Sequence, residues 1–275
     1  MKTKIYVVTG ATSGIGKALV ETLVKEDSIV FAGYRSQSKQ EELANISEKV
    51  HPFYVDYAKP ETVTEAAEYI KSKCEKIDTL INIAGCVVAG PIEKISVQEI
   101  RRQFDVNVFG HLEMAQRLCH YLDNGKIINV SSMSSYGVFP FIAPYCASKR
   151  CLDMFFNSFA IENKRNIKVI SIKPGVIATP LWGKSIDENS KYLKNCDGYE
   201  AEMQFVMKNA QKNETKGLSV QKVVSTILKA DKAKKPKLSY TVGKDAFMAH
   251  LVSKLPQKII NSLVKFGLKA RMKKN

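Results

Sequence analysis

A chain of 275 residues with 45% hydrophobic and 25% charged residues can bury one large core, which excludes a disordered or collagen-like architecture. Six cysteines (Cys74, Cys86, Cys119, Cys146, Cys151, Cys196) without a C-x-x-C pair, and four histidines (His51, His111, His120, His250) outside any ligand spacing, argue against a metal site and for reduced thiols in the cytoplasm. The net charge of +15 is lopsided: residues 205–275 carry 17 Lys and Arg against Glu214, Asp231 and Asp245, a net +14 that suits nucleic acid, anionic lipid, an acidic ligand or solubility alone.

In chain order, "MKTKIYVVTG" has an apolar run too short for a signal-peptide core, and no stretch approaches the roughly 18 apolar residues of a membrane span. Short apolar runs then alternate with longer amphipathic stretches. Strands are predicted at Ile5–Thr9, Ile29–Gly33, Pro52–Val55, Thr79–Asn82, Lys126–Ser131 and Ile167–Ile172. Helices lie between them. Pro60–Glu61 suits a first turn, Ser96–Glu99 reads as a capping box, and 96–122 and 143–163 are the main sheet-packing helices. After Pro174 a loop with Gly175, Thr179, Pro180 and Trp182 leads into a polar helical stretch at 187–213, a helix after Ser219, the short strand "KLSYTVG" and a Lys-rich tail. This pattern predicts an α/β fold, a Rossmann-like doubly wound parallel sheet in a single domain over 1–275.

Two local patterns carry chemistry. "TGATSGIG" puts Gly10, Gly14 and Gly16 between the first strand and the first helix, where glycines let the backbone approach a pyrophosphate and the helix N-terminus supplies unpaired amides. Tight strand-to-helix turns also use glycine without any ligand. At the end of the second strand Tyr34 stands where an NAD enzyme carries a carboxylate, and Arg35 follows, so NADP(H) is favoured over NAD. Further on, "PYCASK" places Tyr145 and Lys149 four residues apart on one helix face. In isolation such a pair is a tyrosine ring lying along a lysine stem.

Together "TGATSGIG" and "YCASK" resemble the short-chain dehydrogenase/reductase family, and the resemblance extends from about Ile5 to Thr179 with every motif in order. It implies catalytic roles for Asn107 in "VNVFG", Ser132 in "NVSSMSS", Tyr145 and Lys149. It implies a cofactor site with Gly10, Thr12, Ser13, Gly14, Ile15 and Gly16 in the phosphate turn, and Tyr34 and Arg35 at the ribose. Asp56 in "FYVDY" falls at the adenine, followed by Asn82, Ala84 and Gly85 in "NIAG". Pro174, Gly175, Ile177 and Thr179 in "KPGVIATP" join Tyr145 and Lys149 at the nicotinamide end. The usual second asparagine of "NNAG" is Ile83 here.

The resemblance implies carbonyl reduction or its reverse. Tyr145 is then the proton donor to the substrate oxygen, Lys149 lowers the phenol's pKa from its ordinary value of about 10, and Ser132 hydrogen-bonds the carbonyl. Asn107 holds a water that relays protons toward Lys149. The hydride chemistry belongs to the cofactor. A sensor or scaffold that binds a dinucleotide without turnover is the alternative on the same fold.

The family sets its substrate with residues like those at 176–217 here. Val87, Val88, Val138, Phe139, Phe141, Leu181 and Trp182 are apolar candidates for the pocket, or ordinary core. The ending resembles, more loosely, relatives acting on steroids, retinoids and other lipophilic alcohols and ketones, and a homo-oligomer is expected. The basic tail at 244–275 has no nucleic-acid-binding module. Ile259, Ile260, Leu263, Val264 and Leu268 recur there at helical spacing, with Lys258, Lys265, Lys269, Arg271, Lys273 and Lys274 around them. Such a stripe docks on an anionic membrane or packs on the domain or a partner subunit.

Overall fold

The computed structural model describes residues 3–194 and 196–272. Lys273 and Lys274 of the basic tail lie outside them. Among the described residues seven parallel strands form one sheet: β1 (Ile5–Val8), β2 (Ile29–Tyr34), β3 (Val50–Tyr54), β4 (Thr79–Asn82), β5 (Lys126–Val130), β6 (Lys168–Pro174) and β7 (Ser239–Val242). Their order, β3-β2-β1-β4-β5-β6-β7, reverses direction at β1/β4. In an open α/β sheet the crevice at the carboxyl ends of the strands flanking that reversal is where a ligand fits. The predicted strands shift by at most two residues at an end.

The helices are α1 (Gly14–Lys25), α2 (Gln40–Ala44), α3 (Pro60–Lys73), α4 (Val97–Phe104), α5 (Gly110–Leu118), α6 (Ala143–Glu162), α7 (Leu181–Glu188), α8 (Ser190–Lys194), α9 (Glu200–Lys216), α10 (Val220–Lys232), α11 (Lys244–Val252) and α12 (Gln257–Met272). Strand alternation sorts the core into two layers. Val8, Ile81 and Ile128 pack with Leu19 and Leu23 of α1 and Val224 and Ile227 of α10. Their neighbours Val7, Leu80 and Ile127 face the other way, onto Ile70 of α3, Leu118 of α5 and Phe156 of α6. Each fully buried side chain of this kind stabilises the fold by about 1.5–3 kcal/mol. At the amino end of the sheet the buried Asp231 of α10 accepts hydrogen bonds from Lys4 (2.8 Å), Tyr6 (2.8 Å) and Thr79 (2.6 Å), which leaves the carboxyl end clear for a site.

Three expectations need correction. The helix expected over 96–122 is interrupted by a π turn at Asp105–Phe109, between α4 and α5. Only half of the capping box forms: the Ser96 hydroxyl accepts from the Glu99 amide at 3.3 Å. The Ser96 amide instead donates to the Tyr192 hydroxyl, because the Glu99 carboxylate is drawn to Arg102 (3.1 Å) and Lys191 (3.1 Å). The polar stretch at 187–213 breaks into parts of α7, α8 and α9 around a turn at Gly198, whose φ of +82° suits glycine. Among the described residues no helix is long and apolar enough to cross a membrane.

Candidate active site

At the end of β1 the Thr9 hydroxyl accepts hydrogen bonds from the amides of Ile83 (3.0 Å) and Ala84 (3.3 Å), tying the glycine turn to the loop after β4. This ligature makes the glycines obligatory. Gly10 has a φ of +64°, and a Cβ there would stand 2.8 Å from the Ala84 main chain; one on Gly16 would stand 2.1 Å from the Gly10 carbonyl oxygen. No side chain caps α1 at Ser13, so the first amides of that helix face the cleft without an intrahelical partner. Those amides, with the positive end of the helix dipole, suit a phosphate.

Beside this turn Tyr34 and Arg35 part company. The Tyr34 ring is buried in the core and its hydroxyl donates to Gln40 at 2.8 Å, so the tyrosine side chain does not read a ribose. Arg35 is exposed at the cleft edge, where its guanidinium lies 4.0 Å from the Glu188 carboxylate at the end of α7; Arg102 approaches the same carboxylate at 3.7 Å. Asp56 lines the cleft and accepts from the Ala58 amide at 3.1 Å. A narrow, amide-rich cradle with an adjacent arginine fits a dinucleotide carrying an extra phosphate on its ribose.

The other end of the cleft is built by α6 and the turn after β5. Pro144 near the start of α6 needs no amide partner there. From the first turn onward Tyr145 and Lys149 project into the same cleft, the ammonium 5.9 Å from the centre of the phenol ring. The Lys149 ammonium donates to the Val130 carbonyl at 3.0 Å. Ser132 opens the turn at Met133–Tyr136, its hydroxyl accepting from the Ser134 amide at 3.0 Å.

Burial governs the acid–base state of the pair. It pushes the Tyr145 phenol up to about 12, with the Ser132 hydroxyl pulling the other way. It holds the Lys149 ammonium down to about 8, opposed by the charge of Asp153 one turn further along α6. Asp153 is itself paired with Lys173 at 2.8 Å. In the protein alone the phenol is therefore raised by desolvation and not lowered.

Asn107 sits inside the π turn and is fully buried. Its amide oxygen accepts from the Cys86 amide at 2.9 Å, and its nitrogen donates to the Cys86 carbonyl (3.0 Å) and the Ser148 hydroxyl (3.0 Å). Asn107 therefore fastens the loop after β4 to α6 and does not line the cleft. Gly16 and Asn82 are also set back, Asn82 bonding Asn129 at 2.8 Å across β4 and β5. The cleft brings together the remaining candidates: Gly10, Thr12, Ser13, Gly14, Ile15, Tyr34, Arg35, Asp56, Ala84, Gly85, Ser132, Tyr145, Lys149, Pro174, Gly175, Ile177 and Thr179. Of the apolar candidates, Val87, Leu181 and Trp182 line it. Val88 is buried core, Val138 points to solvent, and Phe141 packs instead toward Tyr199 beside Met203; Phe139 is not part of the wall.

Two contributors escaped the sequence reading. Asp245, in the first turn of α11, accepts from the Val176 amide at 2.7 Å and packs so closely on Gly175 that a Cβ there would lie 2.0 Å from the carboxylate. Asn189, buried after α7, donates to the Val87 carbonyl (2.7 Å) and accepts from the Ala89 amide (3.0 Å), holding α7 against the cleft. Neither lies in a local motif, so only the folded chain reveals them.

Residues 4–190 match the family described as short chain dehydrogenase. The chain belongs to that family. Short chain dehydrogenases are oxidoreductases of alcohol and carbonyl groups, and this chain is one of them. It is 32% identical to an NADPH-dependent 3-dehydrocapnine reductase of Ornithobacterium rhinotracheale, over 88% of this chain and 89% of that protein. It is 30% identical to a 3-ketodihydrosphingosine reductase of Bacteroides thetaiotaomicron, over 88% of this chain and 89% of that relative. The crystal structure of a short chain dehydrogenase from Burkholderia cenocepacia in complex with NADP superposes with a TM-score of 0.73 at 25% identity, covering 96% of this chain and 98% of that one.

Proposed function

We propose that this short chain dehydrogenase uses NADP(H) to interconvert a lipophilic ketone or aldehyde and its alcohol. The observation that carries the reading is the meeting of Ser132, Tyr145 and Lys149 at one end of a cleft whose other end presents the glycine turn and Arg35. A bound nicotinamide supplies or takes the hydride. Tyr145 gives its proton to the substrate oxygen in reduction, and the Ser132 hydroxyl donates to the same oxygen as charge develops on it. Lys149 holds a positive charge beside the phenol and favours the phenolate that remains once the proton has gone to the substrate. The Asn107 side chain is spent on Cys86 and Ser148, so its role in the site is to hold the loop after β4 against α6.

NADP(H) is supported by Arg35 beside the ribose position, by the absence of a carboxylate at Tyr34, and by the relative named as NADPH-dependent. A lipophilic substrate is supported by Val87, Leu181 and Trp182 in the cleft wall and by the relative named for reducing a sphingosine-type ketone. A cytoplasmic setting suits the six unpaired cysteines, and assembly into a homo-oligomer would cover Phe109, Met154 and Phe155, exposed on the α5–α6 side. The test is NADPH and NADH oxidation by the purified protein with ketones of rising chain length. We expect NADPH to be preferred and the rate to rise with chain length. Tight NADPH binding without turnover of any ketone overturns the reading in favour of a non-catalytic sensor.

A further inference from the structure

The C-terminal helices divide their apolar residues between two faces. On α12 the inner row, Ile260, Val264 and Leu268, is withdrawn from solvent, and the helix packs on α9. The outer row, Ile259, Leu263 and Phe266, recurs at i, i+4 and i+7, and Phe266 is 74% exposed. Helix α11 adds Phe247, Met248 and Leu251, each of them also exposed. A single surface leucine needs no explanation, but a row of large apolar side chains along two consecutive helices is an interaction surface.

The charges around these residues say what covers them. Lys244, Lys254, Lys258, Lys265 and Lys269 are exposed among them, and Asp245 is the one acid in α11 and α12, turned to Val176. A second copy docking here would set ammonium against ammonium. Nucleic acid would meet the lysines and leave the apolar rows uncovered. An anionic bilayer satisfies both, with apolar side chains entering the acyl boundary while lysine stems reach back to the headgroups.

We propose that α11 and α12 form a docking surface for an anionic lipid bilayer. It is joined to the cleft at two points. The inner face of α11 meets the turn that carries Ser132, with the His250 and Tyr136 rings 4.8 Å apart, and Asp245 grips the Val176 amide. Helix α12 packs on α9, which packs on α7, the helix bearing Leu181 and Trp182 in the cleft wall. The surface thus brings the mouth of the cleft to where a lipophilic substrate is dissolved. Its purpose rests on the reductase reading; its existence is measured separately.

The test is co-sedimentation of the full chain with vesicles of phosphatidylcholine containing phosphatidylglycerol, and of phosphatidylcholine alone, at low and high salt. The wild type should bind the anionic vesicles at low salt and lose them at high salt. Each lysine near such a surface contributes about fivefold, so K258Q/K265Q/K269Q should bind about a hundredfold more weakly. L263S/F266S, changed only at exposed positions, should also bind more weakly. The proposal is overturned if the wild type ignores anionic vesicles at low salt, or if both variants bind them as well as it does. It is equally overturned if the wild type is a dimer that L263S/F266S converts to monomer without any vesicle binding, since the rows then cover one another. Turnover of a short, water-soluble ketone on the same preparations separates the two readings: its survival with failed docking overturns the surface alone, and its absence with docking intact overturns the reductase.

Discussion

The Lys149 ammonium donates to the main-chain carbonyl of Val130 at 3.0 Å while standing 5.9 Å from the centre of the Tyr145 ring. The lysine is thus anchored to the sheet by an acceptor that carries no charge. Its partner in the motif keeps its proton, with a phenol pushed up to about 12 by burial. Tyr145→Phe deletes one hydroxyl from a site whose shape is otherwise unchanged. We expect ketone reduction to fall by roughly 10²- to 10⁴-fold, the usual contribution of a positioned proton donor, with NADPH affinity unchanged. Steady-state rates and a fluorescence titration with NADPH check this, and wild-type turnover in the variant would remove Tyr145 from the chemistry.

Lys149 also sets a pH dependence. Burial lowers its ammonium from 10.5 to about 8, so between those values the unfolded chain binds more protons than the folded one. Stability therefore rises with pH across the window from about 8 to 10.5. The depressed lysine costs stability below it, by a sum on the order of 3 kcal/mol from a shift of this size. Lys149→Met should be inactive and yet flatten that rise. Urea denaturation at a series of pH values measures it, and an equal slope in both proteins would contradict the burial argument.

At the cofactor edge, Arg35→Ala should raise the Michaelis constant for NADPH roughly tenfold or more, since a charge-assisted contact to a phosphate contributes about 1.5–3 kcal/mol, and should leave NADH kinetics nearly unchanged. Glu188 faces the same guanidinium at 4.0 Å, so Glu188→Gln should shift NADPH affinity slightly upward. The exposed position of that pair keeps the effect within about 1 kcal/mol. Parallel kinetics with both cofactors separate a phosphate contact from a general loss of affinity.

Asp245 is predicted to act on the cofactor end of the cleft from outside it. Asp245→Ala frees the Val176 amide and unpacks Gly175, at a cost of about 0.5–1.5 kcal/mol for the lost hydrogen bond. NADPH affinity should weaken severalfold while the rate at saturating cofactor stays near wild type. A lowered saturated rate with normal affinity would place the residue's effect elsewhere.

Local sequence determined the strands, because Val7/Val8, Leu80/Ile81 and Ile127/Ile128 each supply one apolar side chain to each face of a doubly covered sheet. It likewise determined the glycine turn and the Tyr145–Lys149 pair, whose spacing alone sets their shared helix face. What tertiary structure decided was direction and partner. Tyr34 and Arg35 read as one motif, yet the ring turns into the core while the guanidinium, in the bend just past the end of β2, stays at the cleft edge. The capping box lost one of its bonds to Tyr192, 96 residues away, and Gly175 met Asp245 from the far end of the chain. The apolar stripe of α12 read as one face, but only Ile260, Val264 and Leu268 of it are withdrawn from solvent. Periodicity records which residues avoid water; which of them find cover depends on neighbours that only the folded chain brings into contact.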